Sequence, residues 1–485
     1  MDSKSEAATG GLPVALTPQL WTADQYQERL LAPVGEVVIG MERTGVPVDR
    51  ERLREIEADM GRQADALRTD LGQWTNGLDV NWNSWQQLAA WLHNEPTNTE
   101  APGLGLEPSP YWKKGEVAVD EGEIKTDDRA LEWLAGHCPD QRAPIMALRR
   151  LRQVERMARY ARDWLAKALP FEDGTWRLHP SFGLASDHDT RPGAVTGRFG
   201  VKNPPLNQVP RDPKKDPAGM RAAFVPPPGM RLVVVDYSQL EVVILGHLIA
   251  VLFGDQDPLV QKLRLGEDIH GPLARHIFGE LAGDKAIAAA PYSDFKIVPA
   301  LKALRDLAKA GIYGNNYGKG EQGFATSTFL PNGEPLGPTR AHLLVEGLKG
   351  LYPGIPKYQQ FIRDFIGREA LIVTLFGRWQ PLPNAKAAKQ GLRNRAWRQA
   401  LNYPMQGGGQ EIMALALINI AQDPLLKELG YVVALVVHDE ILGWAPDATC
   451  DRALARVNEL MCSAVHLLTP LRAEGHTGAN WKECK

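Results

Sequence analysis

Apolar and polar positions change their period several times along this chain, and the changes divide it. Residues 1–33 carry no sustained pattern and read as a loose tail followed by a short helix. From 34 to about 165 the pattern is that of helices burying one stripe. The Pro- and Gly-rich run EPTNTEAPGLGLEPSP at 95–110 interrupts them and predicts a surface loop. RLVVVD at 231–236 reads as a strand whose consecutive valines are buried on both faces. Helical periodicity returns over 255–395. A long helix is then expected after PMQGGG, and two apolar runs, YVVALVV and ILGW, flank His438, Asp439 and Glu440. Strand material near 231 and over 431–444 should meet in one sheet, with the helical stretch inserted between.

Composition narrows the class without naming a function. The 485 residues are 44% hydrophobic, ample for a large core, and no apolar run is long enough to span a membrane. The first twenty residues include acids and lack a continuous apolar stretch, unlike a signal or transit peptide. Cys138, Cys450, Cys462 and Cys484 form no C-x-x-C pair, which argues against disulfides and cysteine-built zinc sites and for a reducing compartment. A net charge of −3 does not itself suggest a nucleic-acid partner, but its distribution does. RRLRQVERMARYAR at 149–162 holds six arginines and one glutamate. Leu151, Val154, Ala158 and Ala161 form its apolar stripe, and Arg149, Arg152, Arg156 and Arg159 the opposite face, suited to phosphates or simply to solvent.

The acids raise a chemical question. Neighbouring side chains on a straight strand face opposite sides, so Asp439 and Glu440 of VVHDEILGW cannot share a ligand unless the chain turns at His438 and Asp439. Asp236 ends the valine strand in VVVDYSQLEVV. Two carboxylates brought to about 4 Å repel and raise each other's pKa unless a cation lies between them. Mg²⁺ suits such a pair, because it takes oxygen ligands and keeps positions open for water and phosphates. Two ions would serve in-line phosphoryl or nucleotidyl transfer. Spacing alone is equally compatible with two acids capping turns.

A third element decides between these. In RDLAKAGIYGNNYG, residues 305–318, Arg305, Lys309, Tyr313 and Tyr317 stand four apart and share one helix face. Phosphates could meet the two cations while a base stacks on Tyr313. Gly311 and Gly314 each weaken this helix by roughly 1 kcal/mol relative to alanine, a cost that a moving, nucleotide-gripping helix can carry.

These three strings, in this order, resemble the polymerase motifs of the family A DNA polymerases, the group of bacterial DNA polymerase I and its phage relatives. GMERTGVPVD at 40–49, NWNSWQQL at 81–88, VTGRFGVKNPPLNQVP at 195–210, GEDIH at 266–270, LYPG at 351–354, TLFGR at 374–378, NYPMQG at 402–407 and GANW near the end extend the likeness over nearly all residues after 34. The resemblance implies an α+β right-hand fold: a tail over 1–33, a helical thumb over 34–165, a palm with an antiparallel sheet over 166–250 and 395–485, and helical fingers over 251–394.

It also implies roles. Asp236 and Asp439, with the carbonyl of Tyr237, would hold two Mg²⁺ ions, for which Mn²⁺ can substitute, and Glu440 would be a secondary catalytic acid. Arg305, Lys309 and His270 would bind the triphosphate, Lys309 also counting as catalytic. Tyr313, Tyr317, Gln239 and Glu241 would complete the dNTP site, Glu241 as the gate against a 2′-hydroxyl. Arg198, Asn207, Gln208, Arg398, Asn402, Gln406 and His438 would touch DNA, joined by Arg152 and Arg156 of the basic helix. The implied partners are primer-template DNA and dNTPs, with a separate exonuclease, helicase or processivity factor, and no membrane. The implied location is the cytoplasm of a bacterium or infected host.

Four departures qualify the likeness. Val243 stands where relatives carry arginine, and Pro205 where asparagine is usual. ELAGDKAIAAAPYSDFKIVP lengthens the stretch between His270 and Arg305, on either the template or the nucleotide side. Only about thirty residues precede the thumb, so no proofreading exonuclease is expected in this chain. The alternatives are a single-subunit RNA polymerase, disfavoured by Glu241, and a non-catalytic binder of primer-template junctions, disfavoured by acids beside a phosphate backbone.

Overall fold

A computed structural model describes residues 21–75, 77–108, 126–183, 197–212, 216–330 and 334–484. The first twenty residues of the expected tail, residues 109 and 110 of the expected loop, and residues 195 and 196 of the VTGRFG string lie outside them.

The chain enters through a helix that starts at Ala23, where Thr22 and Gln25 form a reciprocal capping box, and runs on to Thr44. A widened π-type turn over Gln27–Leu31 precedes Pro33, which has no N–H to give. The expected tail–thumb boundary at 33/34 therefore falls inside a helix. Its buried residues Leu30, Val34, Val38 and Met41 pack in the palm and fingers core, so 34–44 do not belong to the thumb.

The thumb is built on α1 (Arg50–Gly72) and α2 (Arg142–Lys167). Asp49 caps α1 by accepting from the Arg52 N–H at 3.0 Å. Leu53, Ile56, Met60, Ala64 and Leu71 on one helix meet Leu148, Leu151, Val154, Ala158 and Ala161 on the other, the apolar stripe the spacing predicts. The strand before α1 (Val46–Val48) and the one after α2 (Leu169–Pro170) both pair with Trp176–Leu178, which brings the start of one helix beside the end of the other and makes them antiparallel. The 95–108 stretch is looped but held: Leu104 and Leu106 donate backbone hydrogen bonds to Trp91 and Leu92, and Leu106 is buried.

The palm sheet consists of β1 (Met230–Tyr237), β2 (Val432–Val437), β3 (Glu440–Pro446) and β4 (Ala473–Gly478), in the antiparallel order β4-β1-β3-β2. As predicted, β1 is buried on both faces. Val233, Val235 and Tyr237 enter the core shared with the fingers, whereas Leu232 and Val234 enter the core shared with the thumb. Behind β1 lies α3 (Leu240–Phe253), buried almost all round, and the fingers carry α4 (Pro299–Asn316).

Helix α5 (Gln390–Gln422) returns the chain to the palm. It starts well before PMQGGG and runs through Pro404, contrary to the expected start, so the fingers–palm boundary at 394/395 also lies mid-helix. The glycines after Pro404 serve contact rather than termination: a Cβ on Gly408 would stand 2.7 Å from Leu375, and one on Gly409 would stand 3.3 Å from Leu240 of α3. The same reason replaces the mobility argument on α4. A Cβ on Gly311 would meet Leu344 at 2.7 Å and one on Gly314 would meet Phe324 at 2.8 Å, so close packing accounts for both glycines. No helix among the described residues is long and apolar enough to cross a membrane.

Candidate active site

The expected hairpin is present. Its arms are β2 and β3, and the turn is His438-Asp439, with His438 in the left-handed region at φ +59°. Asp236, near the end of β1, is in register with Glu440 on one side and Glu474 on the other. The Tyr237 N–H donates to the Asp439 carbonyl at 3.0 Å, so the turn is fastened to the end of β1. Asp236 and Asp439 thus meet at one end of the sheet although some two hundred residues separate them.

A cleft of about 1050 Å³ opens there. Asp236, Tyr237, Gln239 and Asp439 line its palm side, and His270, Arg305, Lys309 and Tyr313 its fingers side. Burial and the neighbouring Asp236 charge push the Asp439 carboxyl up to about 7. Arg211 donates to Asp236 Oδ2 at 2.6 Å, while Oδ1 is buried without a donor. An orphaned carboxylate oxygen beside an acid whose charge is suppressed is a site short of positive charge, which fits a divalent cation.

Across the cleft, Arg305 makes a two-pronged pair with Asp268 at 2.9 and 3.0 Å. Burial opposes ionisation of Asp268, but Arg305 and the backbone N–H of His270 outweigh it and hold the carboxyl below its usual range. His270 is buried with both ring nitrogens unpartnered, and burial followed by the Arg305 charge lowers it to about 3, so the ring is neutral. Lys309 is exposed, with its ammonium 6.0 Å from the Tyr313 ring centre.

A smaller pocket of about 230 Å³ adjoins the cleft and is lined by Arg198, Glu241, Tyr317, Gln406 and His438. Tyr317 donates its hydroxyl to Glu241, Arg198 pairs with the same carboxylate, and Gln406 bonds Tyr317. Gln239 sits at φ +58° before α3 with its Oε1 buried and unpartnered. Tyr160 of α2 donates to Gln208 at 2.9 Å, and the Oδ1 atoms of Asn207 and Asn402 are buried without donors. Arg398 is exposed beside Gly318.

The structure alters two parts of the expected site. Glu440 lines the same cleft as expected, but its carboxylate is already engaged: it is buried, accepts from Trp481 Nε1 at 2.5 Å and from Arg221 at 3.2 and 3.4 Å, and the Arg221 guanidinium lies 3.9 Å from the Trp481 ring centre. The basic face of α2 is partly engaged within the thumb, because Arg149 is neutralised by Asp128 and Arg152, still charged, is turned onto the carbonyl and hydroxyl of Thr126; Arg156 and Arg159 remain exposed. Sequence reasoning missed Arg211, Asp268 and the Arg221–Trp481 clamp. Asp268 and Trp481 each carried a signal, lying inside GEDIH and GANW, whereas Arg211 and Arg221 carried none.

The profile of DNA polymerase family A matches residues 50–483. The chain belongs to that family. It is 29% identical over 464 residues to DNA polymerase I of Chloroflexus aurantiacus, covering 94% of this chain and 43% of that protein. Against the thermostable DNA polymerase I of Thermus aquaticus it is 27% identical over 479 residues, 97% of this chain and 50% of the other. The chain therefore spans about half the length of the curated relatives it matches. Among solved structures, the POL domain of Pol1 from M. smegmatis, in complex with DNA primer-template and dNTP, superposes with a TM-score of 0.77 at 25% identity over 95% of this chain and 71% of that one. The α+β polymerase-domain fold expected from the motifs is thus the fold of the family. Family A polymerases use divalent metals.

Proposed function

We propose that the chain performs DNA-templated DNA synthesis, extending a primer 3′-hydroxyl with dNTPs and releasing pyrophosphate. The observation that carries this reading is the convergence of Asp236 and Asp439 opposite Arg305 and Lys309 across one cleft. The two aspartates, with the Tyr237 carbonyl, would hold two Mg²⁺ ions, or Mn²⁺ in their place. When bound there, such ions would supply the positive charge that favours ionisation of the primer hydroxyl and offsets charge on the pyrophosphate.

The chain's own residues do the positioning. Asp268 presents the Arg305 fork, and Lys309 adds a mobile charge for the phosphates. His270, neutral and unpartnered, can hydrogen-bond a phosphate oxygen without adding charge. Tyr313 offers its ring to the base. Glu241, held by both Tyr317 and Arg198, would exclude a 2′-hydroxyl and favour deoxyribose. Arg198, Asn207, Gln208, Arg398, Asn402, Gln406 and His438 supply donors and acceptors for DNA; those common to all correct pairs give fidelity without sequence preference. Arg156 adds a backbone contact from the thumb.

Primer extension tests the reading. Asp439→Ala should lose at least about a thousandfold in rate with dNTPs. Undiminished extension by this variant, or equal use of NTPs by the parent, would overturn it.

A further inference from the structure

The extra stretch between His270 and Arg305 folds as two short helices, Lys285–Ala289 and Asp294–Ile297, which lead into α4 at Pro299. The second is anchored by Phe295, whose side chain is completely buried in the fingers core. Its Cβ lies 3.7 Å from the point a Cβ on Gly271 would occupy, so Phe295 packs against the turn that carries His270. The preceding turn is pinned by Arg275, whose guanidinium sits 4.0 Å from the Tyr292 ring centre and donates to its hydroxyl. With Phe295 directed inward, the next residue, Lys296, is exposed, and it lines the same cleft as Asp236, Asp439, Arg305 and Lys309.

The extra stretch therefore faces the nucleotide side. Arg305 already has Asp268 as a counter-charge, whereas Lys296 has no carboxylate partner among the described residues. A lysine is a compact charge on a flexible stem, suited to following phosphates as they change position. We propose that Lys296 is an additional contact for the terminal phosphates of the incoming nucleotide and for the departing pyrophosphate. This rests on the polymerase reading above.

Calorimetric binding of dTTP, pyrophosphate and dTMP, each with magnesium, tests it on the intact chain. Lys296→Ala should bind dTTP and pyrophosphate about fivefold more weakly, the scale of one exposed charge pair, and dTMP unchanged. Lys296→Arg should stay near the parent, and on a primed template Lys296→Ala should lower kcat/KM for dTTP about fivefold. Equal binding of dTTP and pyrophosphate by Lys296→Ala and the parent would overturn the assignment, as would equal weakening of dTMP. A parent that binds dTTP through Lys296 yet fails to extend a primer would instead refute the polymerase reading, and with it the role toward a departing pyrophosphate, leaving only the triphosphate contact.

Discussion

Glu440 follows Asp439 directly, and its role can be separated from that of a metal ligand by one pair of substitutions. The side chains of Arg221 and Glu440 are only 5% and 7% exposed, so their ion pair is not discounted by solvent. Removing one partner of such a pair leaves the other charged and buried, which costs about 3–5 kcal/mol, whereas replacing both by apolar groups of similar size is close to neutral. Glu440→Gln keeps an acceptor for Trp481 but strands Arg221, and should cost about 3 kcal/mol in denaturant unfolding. Arg221→Met with Glu440→Leu should recover most of that loss. If Glu440 only holds the hairpin turn, Glu440→Gln should lower kcat by no more than about tenfold and leave the magnesium concentration for half-maximal primer extension unchanged. Asp439→Asn should raise that concentration sharply. A Glu440→Gln protein of parental stability that needs ten times more magnesium would refute the reasoning and restore Glu440 as a ligand.

Other consequences can be measured directly. Glu241→Ala opens the pocket closed by Tyr317 and Arg198, so the preference for dNTP over NTP should fall by about a hundredfold in competition on a primed template. Glu411 is fully buried under Thr374 and Tyr26, and burial pushes its carboxyl up to about 7. Because the folded-state pKa of this acid is raised, ionisation costs stability as pH rises from the ordinary glutamate value of 4.5 to about 7, a loss of about 3 kcal/mol that is complete above it. The stability of Glu411→Gln minus that of the parent should therefore climb over that window and then level; a difference flat from pH 5 to about 8.5 would contradict it. A methyl group on Gly40 would find nothing within 4 Å, whereas one on Gly311 would strike Leu344. Gly40→Ala should thus stabilise by about 0.5–1 kcal/mol and Gly311→Ala destabilise by about 1–3, read by thermal unfolding.

What could be read from the sequence, and what could not, follows from the range of the forces involved. The hairpin at His438-Asp439 and the doubly buried β1 were legible because strand alternation and apolar runs are local, whereas the convergence of Asp236 with Asp439 needed the Arg305–Tyr317 helix and the ordered family strings beside them. The helix through Pro404 was not, because a proline and three glycines argue locally for a break, and only the close approach of Leu375 and Leu240 shows why small residues are kept there. Gly311 misled in the same way: without Leu344 in view its cost looked like selection for motion. The charged residues were harder still, since a partner distant in sequence decides whether a charge is available. Arg152 is turned onto Thr126, Arg305 onto Asp268 and Glu440 onto Arg221, and none of these pairings has a signature in spacing. A motif therefore identifies which side chains surround the cleft, but the partners determine the work each can do there. Arg305 with its counter-charge is suited to fixed orientation, and Lys309 and Lys296, left exposed, to following a phosphate that moves.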